Sequence, residues 1–151
     1  MAERIALDKV ESTLTELIET LRDGHQGFME LGHRLEDPAA KRFFMEETQV
    51  RAEYAAELEN ELHRMGVKDV KVSASTSSKA HRFWGELKAK LGGGDHALLD
   101  TAEQGEDVAK KAYVDALKHD LPTPLREMLD RQQEHVLTVH DKVKGLRDRH
   151  K

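Results

Sequence analysis

The apolar positions in the first part of the chain follow one another at alternating steps of three and four residues. They are Leu7, Val10, Leu14, Leu17, Leu21, Gly24, Phe28, Leu31 and Leu35. Since an α-helix has about 3.6 residues per turn, this spacing gathers them on one face of a single long helix. A helix with one apolar face must bury that face against another element, so the pattern predicts long helices packed together.

Three later stretches repeat this periodicity, and the breaks between them mark the helix ends. The predicted long helices cover residues 6–36, 38–65, 95–119 and 124–149. The pair Asp37-Pro38 predicts a tight turn in which Asp37 caps the second helix, and Gly66 predicts the end of that helix. A polar, Ser-rich loop and a short helix over residues 79–91 are predicted next, and Asp95 is predicted to cap the third long helix.

The connections between the helices are unequal in length, and this constrains their arrangement. The first and second helices, like the third and fourth, are joined by short turns, which predicts two antiparallel hairpins. Nearly thirty residues separate the second helix from the third, enough to cross helices that are about 42 Å long. We therefore predict an all-α, ferritin-like four-helix bundle of up-down-down-up topology, a single domain over residues 1–151 with a short helix in the crossover. A compact connector would give up-down-up-down topology, which the sequence also allows.

Composition argues against several classes of protein. The formal net charge is −5 and basic residues are interspersed with acids, so neither nucleic-acid binding nor a membrane-surface role is expected. No apolar run reaches the roughly 18 residues of a membrane span, and the N-terminus is too polar for a signal peptide. The chain has no cysteine, which excludes a disulfide partner, limits metal ligands to His and carboxylates, and agrees with a cytoplasmic location.

Polar residues interrupt the apolar faces at similar heights. Glu47 interrupts the second helix, Glu106 the third, and Gln132 and His135 the fourth. Burying a carboxylate among apolar residues costs several kcal/mol unless a partner compensates it, and a metal ion is one such partner. Counted from the two short turns, Glu47 and Glu106 differ in height by only about 6 Å, which is compatible with one shared site.

The first function considered is therefore metal binding in the core of the bundle. Ferritin-like di-iron proteins take a Glu from each of two helices and a Glu-x-x-His pair from each of the others. Gln132 and His135 keep that spacing with Gln in place of the first Glu, and Asp23 or His25 on the first helix would complete the ligand set. Such a site would hold iron as a di-iron centre, manganese or zinc, and whether it catalyses a reaction stays open.

The second function considered is a metal-free, non-catalytic helical interaction protein that acts as a homodimer or other homo-oligomer. In this interpretation the buried carboxylates pair with basic residues one turn away, Arg51 for Glu47 and Lys110 for Glu106. Such polar residues set the register of the helices. No nucleophile with His and Asp partners is evident, so no catalytic residue is assigned.

Glycines and the single tryptophan bear on the packing of the helices. Gly24, Gly27 and Gly32 each cost roughly 1 kcal/mol relative to Ala inside a helix, so their missing side chains are expected to make room for a neighbour. Trp84, in the segment between the second and third long helices, is expected to anchor that segment on the bundle. Both features favour close packing over a ligand site.

A set of short segments extends over nearly the whole chain, and the most specific lies around His81 to Lys88. The set comprises Asp23-Gly24 with Gly27-Phe28, Glu57-Leu58, His81-Arg82-Phe83-Trp84 with Leu87-Lys88, Gly105-Glu106-Asp107 with Tyr113, and His140-Asp141. Together these segments resemble a bacterial family of small ferritin-like four-helix-bundle proteins of unknown function. That family is similar in plan to the rubrerythrin and ferritin superfamily.

The resemblance implies a ferritin-like fold, a cytosolic bacterial protein, and a role in stress response or metal homeostasis. Ferritins also place a Gln on the last helix, so Gln132 agrees with that pattern. Val50 stands where the second helix would need a His, which leaves few nitrogen ligands for a di-iron centre and argues against ferroxidase activity.

Overall fold

A computed structural model describes residues 2–68, 70, 82–84, 86 and 93–150. Its four long helices are α1 (Ala2–Arg34), α2 (Pro38–Arg64), α3 (Asp95–Leu117) and α4 (Thr123–Arg149). Residues 82–84 and 86 are also helical, and no residue in these ranges lies in a β-strand. The all-α prediction is confirmed, whereas most of the predicted short helix over 79–91 lies outside the described residues. None of the helices in these ranges is both long and apolar enough to span a membrane.

The turn between α1 and α2 forms as predicted. Asp37 is the N-cap of α2, and its carboxylate accepts hydrogen bonds from the backbone N–H groups of Ala39 and Ala40. At the other end, Gly66 has a φ of 101°, a left-handed conformation that glycine adopts without steric cost. The helix therefore begins and ends where residues of the right local chemistry stand.

Asp95 does not cap α3, contrary to the prediction. Gly94 is the N-cap residue and makes no side-chain capping bond. The Asp95 carboxylate instead accepts hydrogen bonds from the backbone N–H groups of Glu36 and Asp37, both at 2.9 Å. The reason is proximity, since the α1–α2 turn presents two backbone donors to the first residue of α3. This contact ties the start of α3 to that turn.

The same turn also receives the end of α4, and together these contacts define the helix directions. His150 Nε2 lies 2.8 Å from Asp37 Oδ2. The C-terminal ends of α1 and α4 and the N-terminal ends of α2 and α3 therefore meet at one end of the molecule. It follows that α1 and α4 run one way, that α2 and α3 run the other, and that the chain between α2 and α3 passes from one end to the other.

Buried apolar side chains form two clusters along the helices. The cluster nearer the α1–α2 turn, called here the turn cluster, contains Phe28, Leu31, Leu35, Ala40, Phe44, Trp84, Leu98, Leu99, Ala102, Val139, Val143 and Leu146. The other, the distal cluster, contains Val10, Leu14, Leu17, Ile18, Leu21, Ala55, Leu58, Leu62, Ala109, Tyr113, Ala116, Leu125, Leu129 and Val136. Over their whole lengths, α1 packs against α2 and α3, and α3 packs against α4, whereas α2 and α4 approach each other at few points.

Trp84 packs between α1 and α3, where two glycines make room for it. Its ring meets Phe28 edge to face, with the ring centroids 5.5 Å apart. A Cβ added at Gly27 would lie 2.3 Å from the Trp84 ring, and one added at Gly105 would lie 2.5 Å from it. The expectations that Trp84 anchors its segment and that Gly27 makes room for a neighbour are both confirmed.

Gly27→Ala is expected to lower the free energy of unfolding by about 1–3 kcal/mol, because the added methyl group forces the Trp84 ring to move. Urea denaturation followed by circular dichroism would measure this. Gly145→Ala is the matched control, since Gly145 is exposed on α4 and a Cβ there meets nothing within 4 Å. The control should gain up to about 1 kcal/mol from helix propensity. Equal effects at both positions would contradict the packing role of Gly27.

Asp37 is expected to make the protein sensitive to acid. The hydrogen bond from His150, followed by that from the Ala39 backbone, holds the pKa of Asp37 below its ordinary value. A carboxyl group with a depressed folded-state pKa stabilises the fold above its unfolded pKa of about 3.9, and that stabilisation is lost as the pH falls through the folded value. Asp37→Asn keeps a capping side chain without the charge. Its thermal midpoint should therefore fall less than that of the unmodified protein below about pH 4, and parallel curves would refute this role.

Candidate functional site

A layer of polar side chains separates the two apolar clusters. This polar layer consists of Glu47 and Arg51 on α2, Glu106 on α3 and His135 on α4. The exposed fractions are 5% for Glu47, 1% for Arg51 and 0% for Glu106, whereas the side chain of His135 is 34% exposed. Three helices thus bring ionisable groups together in the interior, with one of the four groups reaching solvent.

Arg51 is the centre of the layer. Its Nε donates to Glu47 Oε2 at 2.7 Å, and its Nη2 donates to Glu106 Oε2 at 2.6 Å. The Arg51 Cζ lies 5.2 Å from the centre of the Phe28 ring, which gives the cation a favourable aromatic face as well. A planar guanidinium can serve two carboxylates because its N–H donors point in different directions. One side chain therefore links α2 to α3 and rests on α1.

The charges of this group stabilise one another. Removal from water disfavours the charged guanidinium, but Glu106 and then Glu47 outweigh that effect and raise the pKa of Arg51 above its ordinary value. Burial raises the pKa of Glu106, and the nearby Arg51 opposes that rise. Arg51 is consequently a permanent positive charge in the core.

His135 connects the layer to α4 and to the surface. Its Nε2 lies 2.8 Å from Glu47 Oε1 and 3.1 Å from Glu47 Oε2. Because the oxygens of a carboxylate accept, this nitrogen carries the hydrogen and donates it. The imidazole ring also meets the Tyr54 ring edge to face, with centroids 5.5 Å apart. Glu47 is thus held by donors from α2 and α4.

Gln132 belongs to a neighbouring chain of polar contacts. Tyr113 donates from its hydroxyl to Gln132 Oε1 at 2.8 Å, and both residues are 0% exposed. Gln132 Nε2 lies 3.5 Å from Glu57 Oε1, and Glu57 pairs with Arg131 at the surface. Burial raises the pKa of Tyr113, so its hydroxyl keeps the proton that it donates. The buried amide of Gln132 is therefore satisfied by protein groups.

His25 and Asp23 are the candidate metal ligands on α1. His25 Nδ1 lies 2.9 Å from the backbone oxygen of Thr48, and since a carbonyl only accepts, Nδ1 is the donor. Asp23 is half-buried one turn before Gly27. The contact of His25 thus joins α1 to α2 through the backbone.

Lys110 is not the partner of Glu106, and that predicted pairing is wrong. Lys110 Nζ lies 3.8 Å from Asp107 Oδ1 on the half-exposed side of α3, whereas Glu106 points inward and meets Arg51. The spacing of one turn along a helix identifies a possible pair, but only the opposite helix shows which basic residue reaches the core.

The fit of a metal ion to these residues can be judged from their donors. Within the described ranges, no group of three or more His, Asp and Glu side chains is arranged to hold a metal ion. The Arg51 guanidinium lies between the two carboxylates that a di-iron centre would use, and His135 directs Nε2 at Glu47. A fixed cation in that position would repel a divalent ion. As arranged here, the residues do not fit a di-iron centre.

A second ionic group was not predicted from the sequence. His140 on α4 has a side chain only 11% exposed, and its Nε2 lies 3.0 Å from Asp107 Oδ1 and 3.7 Å from Glu103 Oε1. The i, i+4 spacing of Glu103 and Asp107 was the available signal, because it places both carboxylates on one side of α3. Without the position of α4, their shared partner could not be identified.

Arg51→Met is expected to lower the free energy of unfolding by about 3–5 kcal/mol, because it leaves two buried carboxylates without their shared cation. Arg22→Met is the control. It removes a surface ion pair with Glu59, whose partners are 49% and 31% exposed, and should cost less than about 1 kcal/mol. Chemical denaturation would compare the two variants, and adding Glu106→Gln to Arg51→Met should restore part of the loss. Similar losses for the two single variants would contradict the central role of Arg51.

A comparison with known protein families finds a match over most of this chain. A family model described as a domain of unknown function, DUF2383, matches residues 9–119. The matched stretch includes Glu47, Arg51 and Glu106, whereas His135 on α4 lies beyond it. A search of the curated proteins finds no match. Because the family model covers well over half of the 151 residues, the chain belongs to the DUF2383 family of domains of unknown function.

Proposed function

We propose that this chain is a ferritin-like four-helix bundle that acts as a metal-independent, non-catalytic interaction protein. The helix directions support the bundle: α1 and α4 run one way, α2 and α3 the other, as in up-down-down-up topology with one long crossover. The packing of Trp84 between α1 and α3 supports a crossover that lies along the helices.

The observation that carries the proposal is the position of the Arg51 guanidinium. In a di-iron protein the metal compensates the carboxylates of the core. In this chain Arg51 compensates both Glu47 and Glu106, at 2.7 Å and 2.6 Å. A core completed by its own cation needs no bound ion for stability, and its role is to fix the register of the helices. In this proposal the protein functions by binding a partner through its outer surface.

That outer surface would bind through polar contacts. In the described ranges, Val114 and Leu137 are the large hydrophobic side chains that are exposed, at 45% and 40%. An assembly through these helix faces, with a second copy or another protein, would therefore rest on hydrogen bonds and ion pairs. Such contacts weaken as the salt concentration rises.

The first test is elemental analysis of protein purified without a His-tag or chelator, followed by anaerobic titration with Fe(II) and then with Zn(II). We expect no metal above background and no stoichiometric binding, because the Arg51 guanidinium already lies between the two carboxylates that would bind a metal ion. Binding of about two irons per chain, with an absorbance change on admitting oxygen, would overturn the proposal in favour of a di-iron protein in metal homeostasis. One tightly held zinc or manganese ion would overturn it in favour of a mononuclear site.

Variants locate any metal that does bind. Glu106→Ala removes a carboxylate of the polar layer, and Asp107→Ala removes an exposed carboxylate one residue away on the same helix. Loss of the metal in Glu106→Ala alone, with helicity retained, would place it in the core. Loss in Asp107→Ala alone would place it at the surface beside His140.

Glu106→Gln is expected to be neutral or stabilising in metal-free buffer. The substitution removes one of two buried carboxylate charges that share a single guanidinium, while the amide oxygen can still accept from Arg51. Thermal unfolding with and without a chelator would measure this. A loss of more than about 2 kcal/mol would show that the negative charge at this position is needed, which the proposal does not allow.

A further inference from the structure

One carboxylate oxygen in the polar layer has no donor among the described residues. Glu106 Oε2 accepts from Arg51, whereas Glu106 Oε1 is shielded from solvent and has no hydrogen-bond partner there. A buried carboxylate oxygen is unfavourable without a donor, and internal water molecules commonly supply one. A small hydrogen-bond donor in the core would therefore stabilise Glu106 Oε1.

Gly24 leaves space in the same part of α1. It is buried on the seam between Leu21 and Phe28, yet a Cβ added at Gly24 would meet nothing within 4 Å. Gly27, one turn further on, differs because Trp84 fills the position of its missing side chain. Since protein interiors are close-packed, a buried glycine beside open space marks a place for a small molecule.

The register of α1 and α3 puts Gly24 and Glu106 at similar levels along the helices. The Trp84 ring contacts both Gly27 and Gly105, so these two positions lie at one level. Because α1 and α3 are antiparallel, moving from that level towards the distal cluster leads to Gly24 on α1 and to Glu106 on α3. Phe28, one turn from Gly24, also lies under the guanidinium that bonds to Glu106.

From these observations we infer an internal site for one small hydrogen-bond donor, between Gly24 and Glu106 Oε1. The polar layer has two carboxylates, Glu47 and Glu106, and one guanidinium, so it favours a neutral or cationic donor and disfavours an anion. A water molecule and an ammonium ion share this chemistry. The site goes beyond the proposed function and holds whether or not the outer surface binds a partner.

The first experiment compares Gly24→Ser with Gly24→Ala by thermal unfolding. Both variants fill the space, but only the serine hydroxyl can donate to Glu106 Oε1 in place of the bound molecule. Gly145→Ser and Gly145→Ala are the controls at an exposed helical position, where Ala is the better helix former and should melt higher. We expect the order to reverse at position 24, with the serine variant melting higher. The same order at both positions would overturn the inference.

The second experiment observes the bound molecule in the unmodified protein, so it does not depend on the variants folding. Oxygen-17 magnetic relaxation dispersion would count long-lived internal waters, and a cross-peak from water or ammonium to the Gly24 amide proton would locate the donor. A cross-peak from water establishes water. A cross-peak from ammonium, with a thermal midpoint that rises in ammonium chloride but not in matched sodium chloride, establishes ammonium. Neither cross-peak, with no long-lived water, would overturn the site.

Discussion

The hydrogen bonds from Arg51 to Glu47 and Glu106 are the interaction on which the interior depends. Both carboxylates are buried, and each would be strongly unfavourable without a positive partner. The guanidinium supplies that partner to both at once, from α2 to α3, and rests on Phe28 of α1. His135 adds the fourth helix by donating to Glu47. The polar layer consequently connects all four helices at one level, between the turn cluster and the distal cluster.

The packing of the helix ends complements this layer. Asp37 and Asp95 bring the ends of all four helices to one turn, which makes α2 and α3 run the same way. Trp84 on that chain enters where Gly27 and Gly105 offer no side chains. The hydrogen bonds of Asp95 at one end and the packing of Trp84 nearer the middle both link the α1–α2 hairpin to α3. The polar layer contributes to the register of α2, since moving α2 by one turn would break the bond from Arg51 to Glu106 and the bond from His135 to Glu47.

Local rules accounted for much of this structure, and contacts across helices account for what they missed. The spacing of the apolar residues predicted four long helices, Asp37 was identified as a cap, and Glu47 and Glu106 were expected at one height. Spacing along one helix also suggested Arg51 for Glu47. The same rule suggested Lys110 for Glu106 and failed, because the true partner lies on another helix. The capping role predicted for Asp95 was wrong and the ion pairs of His140 were not predicted for the same reason, since each bonds to a helix or turn distant in sequence.

Acidic residues on the apolar face of a helix leave two interpretations open, a bound metal ion or a buried basic side chain. An acidic residue on an apolar seam establishes only that a donor or a positive charge must stand opposite it. A divalent ion and an arginine both meet that need. They differ in the geometry of their bonds to the carboxylates and in whether they can be removed from the protein. A metal ion draws several carboxylate oxygens and nitrogens around one point and can be removed, whereas a guanidinium presents separate N–H donors and is part of the chain. The separate bonds from Nε and Nη2 to two different glutamates are the geometry of the guanidinium. Arg51 reaches only one oxygen of Glu106, so the other has no donor among the described residues, and the space at Gly24 is where we infer that its donor binds.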